Sequence, residues 1–159
     1  LIEAAALSNL GNAERELGEH ACALAHMHEA IAIRKRLDRP ATFEELGDLA
    51  LAQLEGGDVR GARMTADEIV ARLPASTENT VWPHYCLWAA ARVFRAGGAE
   101  AQARAALDEA ASLVRRQLEA MTDPASRAAF VQLRAVRQIA AATERDLWPA
   151  ATGPAGSIV

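Results

Sequence analysis

Three glycines, Gly18, Gly57 and Gly98, divide the chain at intervals of about 40 residues, each between two runs whose apolar residues recur at helical spacing. Glycine populates left-handed backbone at little cost, so it ends one helix and lets the chain double back into the next. Regular recurrence of that turn predicts a stack of helical hairpins of one design. Other positions fall into register around the glycines. Before each comes a helix with a small residue, Gly11, Ala50 or Ala91, and four positions earlier a leucine, Leu7, Leu46 or Leu87. After each come Ala23, Ala62 and Ala103, then Met27, Ala66 and Leu107, then Ala30, Ile69 and Ala110. Small residues at matched places let two helices cross closely, while the larger ones fill the contact with the next hairpin.

Composition points the same way. Alanine supplies 38 of 159 residues and aromatics only 4%, a balance that suits close-packed helices and suits strands badly. At this length one domain or a short repeat array is expected. Seventeen Lys+Arg against 21 Asp+Glu give a net charge of −4, which excludes a chain-wide field for nucleic acid or an anionic membrane. Lys35 is the only lysine, a bias that a GC-rich coding sequence explains. No apolar run is long enough to span a bilayer, and Leu1-Ile2-Glu3-Ala4 has neither an initiator methionine nor a signal-peptide pattern. That start reads as the middle of a helix, so a fragment of a longer cytoplasmic chain is expected. Cys22 and Cys86 form no disulfide framework and no CxxC motif, and reduced thiols are expected.

Local signals set the boundaries. Leu7, Leu10, Ala13 and Leu17 make the apolar stripe of a first helix, and a second runs from Glu19 to Asp38-Arg39-Pro40. Thr42 with Glu45 forms a capping box for the third, and Asp58 caps a fourth that Pro74 stops. After the polar stretch 75–80, a fifth helix spans Pro83 to Ala96 and a sixth Ala99 to Met121. Asp123 and Pro124 start a seventh, which carries Phe130, Leu133, Val136, Ile139 and Ala140 to about Leu147. The expected organisation is an all-α array of about seven helices over residues 1–148. Its hairpins fall at about 1–38, 41–74 and 82–121, with a closing helix at 123–147 and a disordered tail at 149–159.

The pattern Leu7, Leu10-Gly11, Gly18, Ala23, Met27 and Ala30, with Ala62, Ile69 and Pro74 in the second unit, resembles the tetratricopeptide repeat. The resemblance covers about residues 1–121. It departs in period, since that family repeats at 34 residues and these units are longer. Longer units are similar to the repeats in C-terminal regions of MalT-like bacterial transcriptional regulators and related signalling ATPases, and the run from Met121 to Leu133 resembles the closing helix of such regions. The resemblance implies a right-handed superhelical α-solenoid that binds a peptide or protein segment on the concave face lined by the first helix of each hairpin. For MalT-like proteins it also allows a small-molecule effector pocket.

Matching positions on that face are Ser8, Asn12 and Arg15 in the first unit, Glu44 in the second, and Tyr85, Trp88, Arg92 and Arg95 in the third. The last four recur on one helix face, so two rings and two guanidinium groups stand together. Such residues dominate interface hot spots, and arginine pairs well with carboxylates. The alternative is that Tyr85 and Trp88 pack on a neighbouring helix while the arginines are solvated. His20, Cys22, His26 and His28 include one i,i+4 pair, Cys22 and His26, but the others point to different faces, so no metal is expected. His84 reads as a surface or groove residue. The chain up to residue 80 carries fourteen acidic and eight basic side chains and the remainder seven and nine, an asymmetry that favours docking of another domain or a merely solvated face.

No phosphate-binding glycine loop, GxSxG elbow or HExxH occurs. The adjacent carboxylates Glu44-Glu45 and Asp108-Glu109 point apart on helices and cannot flank one bond. A binding role without catalysis or cofactor is therefore expected, as an interaction or regulatory scaffold within a bacterial protein. The partner would be a protein or peptide segment, or another domain of the same chain. A small-molecule sensor or a self-associating module, including a homodimer, is the rival.

Overall fold

The computed structural model describes residues 1–73 and 80–150. Among them are eight helices and no strand: α1 (Ile2–Glu16), α2 (His20–Arg36), α3 (Phe43–Glu55), α4 (Val59–Arg72), α5 (Pro83–Ala96), α6 (Glu100–Ala120), α7 (Pro124–Gln132) and α8 (Arg134–Arg145). Pro74, most of the polar stretch after it and the tail beyond Ala150 lie outside the described residues.

The three turn glycines carry the hairpins as the periodicity predicts. Gly18, Gly57 and Gly98 all have positive φ, at 83°, 86° and 72°. Each turn is closed by the same pair of backbone bonds. Glu19 N–H donates to Glu14 at 2.9 Å, Asp58 to Gln53 at 2.8 Å and Ala99 to Phe94 at 2.8 Å, while each glycine N–H donates to the carbonyl three residues back. Three helix ends thus satisfy their last carbonyls by one Schellman geometry. The end of α2 uses it too, with Asp38 rather than glycine at φ 53°. The caps also form: Glu45 N–H donates to Thr42 Oγ1 and Thr42 N–H to the Glu45 carboxylate, Gly61 N–H donates to Asp58, and Ser126 N–H donates to Asp123.

Helices pair within each hairpin, and successive hairpins stack: α3 packs on α2 and α1, α5 on α3 and α4, and α8 on α6 and α5. All nine residues in register after the glycines are buried, none more than 2% exposed. Gly11 shows why that register uses small residues, since a Cβ there would stand 2.9 Å from Met27 Cγ and 3.0 Å from the Ala23 carbonyl oxygen. Most of the core runs from α3 to α8, around Trp88, Phe94, Leu107 and Ile139. Smaller clusters join α1 to α2 and α2 to α3.

Two expectations are corrected. The closing helix is not continuous: Leu133, at φ −56° and ψ 134°, separates α7 from α8, which raises the number of helices from seven to eight. The reason is rotational. On one straight helix the face of Val136, Ile139 and Ala142 would lie opposite Phe130, because nine residues at about 100° each bring Ile139 half a turn round. All four are buried in the same core, so the chain must break between them. Leu133 itself, expected in the stripe, is 40% exposed. The second correction concerns α1. Its buried face is Ala4, Ser8, Gly11 and Arg15, and the expected stripe residues Leu10, Ala13 and Leu17 are exposed. In hairpins with a predecessor, the positions matching Leu10 and Ala13 are Leu49 and Ala52, then Ala90 and Val93, and all four are buried by the hairpin before. No hairpin precedes α1 in the described residues.

Candidate functional site

A cavity of about 520 Å³ opens on the side of the stack formed by α1, α3 and α5, and the start of α8 walls its far side. The hairpin register brings the first helix of each unit to this side, and the break at Leu133 turns α8 back across it. Arg134 at the head of α8 is ion-paired with Glu16 at the end of α1, so the first and last helices meet across the opening.

The cavity floor is a buried charge network. Arg15 reaches Glu55 at 2.9 Å and Arg92 reaches the other oxygen of the same carboxylate at 3.2 Å, with all three side chains less than a tenth exposed. Arg15 also donates to Asn12 and to Glu16. Burial works against the Arg15 charge, but Tyr85, Glu55 and Glu16 outweigh it and hold its pKa above the ordinary arginine value. Arg92 goes the other way: burial, with Arg15 nearby, lowers its pKa despite Glu55. Its guanidinium carries five N–H donors and makes one hydrogen bond among the described residues, so it presents further donors at the cavity wall.

The opposite wall is acidic and aromatic. Glu44 and Asp48 lie one turn apart on α3. Glu44 Oε1 accepts from the Val81 and Trp82 backbone N–H groups at 2.8 and 3.0 Å, which fixes the entry to α5. The Tyr85 hydroxyl donates to Asp48. Burial pushes the Asp48 carboxyl up to about 6, against the pull of Tyr85 and Arg15 and with help from Glu44 and Glu45. Burial and the neighbouring Asp48 carboxylate likewise raise the Tyr85 phenol well above its ordinary value. Asn9, Asn12 and Gln138 add side-chain amides to the lining.

Of the eight residues picked from the sequence, Asn12, Arg15, Glu44, Tyr85, Trp88 and Arg92 line this cavity. Ser8 is buried between α1 and its neighbours and does not line it. Arg95 lies outside it, paired with Glu100 and Asp146 and placed over the Trp148 ring. Trp88 is core: it is 1% exposed, donates from Nε1 to Gln138 at 3.0 Å and stacks on Trp148. His84 is also buried, edge-on to Trp82 and Phe130, and burial lowers its pKa.

Sequence reasoning passed over Glu55, Asp48 and Gln138. One signal for Glu55 was present, because Glu16 and Glu55 both stand two residues before a turn glycine and each pairs with Arg15. The histidine–cysteine group does not converge. His26 Nδ1 lies 2.7 Å from Glu14, His20 sits against Gly56, and His28 lines a different cleft with Ile31 and Lys35. Cys22 instead comes near Glu14 and Glu19, a largely surface trio. No described helix is long and apolar enough to cross a membrane. Comparison with family models, with curated proteins and with solved structures returns no match.

Proposed function

We propose that the chain is a tetratricopeptide-like interaction module of a cytoplasmic bacterial regulatory protein, a right-handed array whose inner cavity takes the end of a peptide segment. The observation that carries this reading is the mixed lining of the cavity. A peptide end needs donors and acceptors for its backbone together with a place for a charge. Side-chain amides at Asn9, Asn12 and Gln138, the further donors of Arg92 and the carboxylates of Glu44 and Asp48 offer both within one space. The same groups are not arranged as a nucleophile with a base, which favours binding over turnover.

The test is selection of random-sequence peptides against the protein and against Ala135→Trp, which fills the cavity from the half-buried first turn of α8. Enriched peptides should lose at least tenfold in affinity to Ala135→Trp and keep their affinity for Arg95→Glu, whose side chain lies outside the cavity. Enrichment of no peptide, or equal binding to Ala135→Trp, overturns the reading. The Arg134–Glu16 contact favours a second one, a small-molecule effector site, because it encloses a volume within the roughly 300–1,000 Å³ of small-ligand sites. Saturable thermal stabilisation by a metabolite without any peptide would select that alternative.

A further inference from the structure

The charges of the inner cavity do not balance, and the surplus sits on one wall. Three guanidinium groups line the cavity, and each is ion-paired within the chain: Arg15 and Arg92 with Glu55, Arg134 with Glu16. Two half-buried carboxylates on α3, Glu44 and Asp48, have no cationic partner among the described residues. Their hydrogen bonds come from neutral donors alone. Glu44 takes two backbone N–H groups on one oxygen, and Asp48 takes the Tyr85 hydroxyl on one of its own. Residues 74–79 and 151–159 contain no lysine, arginine or histidine, so the positive charge that these two carboxylates lack is not supplied from there.

Both carboxylates stand at the head of α5, where His84 and Trp82 also line the cavity. His84 is 1% exposed, and its Nδ1 has no hydrogen-bond partner among the described residues. Burial disfavours the charged form of that ring. A neutral imidazole with its proton on Nε2 offers Nδ1 as an acceptor. The second oxygens of Glu44 and Asp48 and this nitrogen are therefore three acceptors with spare capacity, beside a partly exposed indole whose face attracts a cation. Donors collect on the other walls. Arg15 occupies Asn12 Oδ1 and Trp88 occupies Gln138 Oε1, so both amides present their NH2 groups, and Arg92 adds its further N–H donors.

We propose that the peptide end held in the cavity is the amino terminus, its α-ammonium group taken by Glu44 and Asp48 and its first carbonyls by Arg92, Asn12 and Gln138. This rests on the peptide reading of the cavity and adds the direction in which the chain enters. A carboxylate end would be repelled by the α3 wall and would meet no guanidinium that is not already committed to a carboxylate.

Random hexapeptides in two sets are the probe, one anchored by the carboxyl end with a free amine, the other anchored by the amino end with a free carboxylate. Binders are expected from the first set. Acetylating their α-amine should cost about tenfold or more in affinity, the worth of a hydrogen-bonded charge. Asp48→Asn, checked for an unchanged or higher melting temperature, should cost the free-amine peptides a similar factor. Equal or tighter binding by the second set overturns the proposal while leaving the peptide reading in place. So does an affinity that neither acetylation nor Asp48→Asn alters, and so do acetylated binders that depend on an internal lysine, which would put a side chain against α3 instead. An absence of binders in both sets overturns the peptide reading, and the proposal with it.

Discussion

Glu55 carries the charge balance of the cavity floor, and its replacement by glutamine is the sharpest test of that geometry. The substitution keeps size and an acceptor oxygen but removes the one negative charge shared by Arg15 and Arg92, both buried. At an effective dielectric of about 20 each contact is worth about 4 kcal/mol of attraction. Much of that offsets the cost of taking three ions out of water. What survives is the asymmetry: breaking a buried pair by removing one partner costs about 3–5 kcal/mol, because Arg92 then stays buried without a counter-charge and Arg15 keeps only the half-exposed Glu16. A chain of this size loses about 2–4 °C of melting temperature per kcal/mol, so Glu55→Gln should melt about 6–20 °C below the parent. The assay is thermal and urea unfolding followed by circular dichroism. Adding Arg92→Met to Glu55→Gln should restore at least half of the loss, since the guanidinium left without a counter-charge is then gone. A loss below about 1 kcal/mol, the range of exposed pairs, would refute the reasoning and mean that both arginines reach water.

Asp48 predicts a pH effect of definite sign. A carboxyl raised to about 6 in the folded chain binds protons more tightly there than when unfolded, so its contribution to stability falls as pH climbs from about 4 through 6. Asp48→Asn keeps an acceptor for Tyr85 and removes the penalty. It should exceed the parent by about 1–3 kcal/mol at pH 8 and match it at pH 4, judged by urea midpoints, and a gain independent of pH would show that ionisation of Asp48 is not its cause. At the end of α2, Asp38→Gly relieves a side chain held at φ 53° and should raise the urea midpoint by the equivalent of about 0.5–1 kcal/mol. A fall in the midpoint would show that the aspartate makes compensating local bonds.

The hairpins were legible because their signals are local. A turn glycine, a capping box and a small residue one turn from a leucine each act within a few positions, and repetition three times over removes the ambiguity of any single one. The break at Leu133 was not legible, since Phe130, Leu133, Val136 and Ala140 make an acceptable helical stripe until the core they share is known. Trp88 shows the same limit. Its spacing from Tyr85 and Arg92 places it on the inner helix face, and only the return of α8 with Gln138 and Trp148 turns that face into core at this point. The floor of the cavity was half legible. Arg15 and Arg92 read as partner-facing groups, yet their common counter-ion lies 40 and 37 residues away, one repeat along the chain, where a lone glutamate on a helix reads as solvated surface.

The Arg134–Glu16 contact joins residues 118 positions apart and has a kinetic meaning beyond its place in the wall. Buried packing on α5 and α6 holds α8 in place, so the contact acts on the mouth of the cavity alone. Both of its residues are solvent-exposed, and an exposed pair is worth only about 0–1 kcal/mol. The pair by itself then favours a closed mouth by no more than about fivefold, on top of the packing that holds α8. Dissolved salt, by screening the pair, becomes a control on how wide the mouth stands and how fast a guest can enter, while the buried floor beneath is left almost untouched.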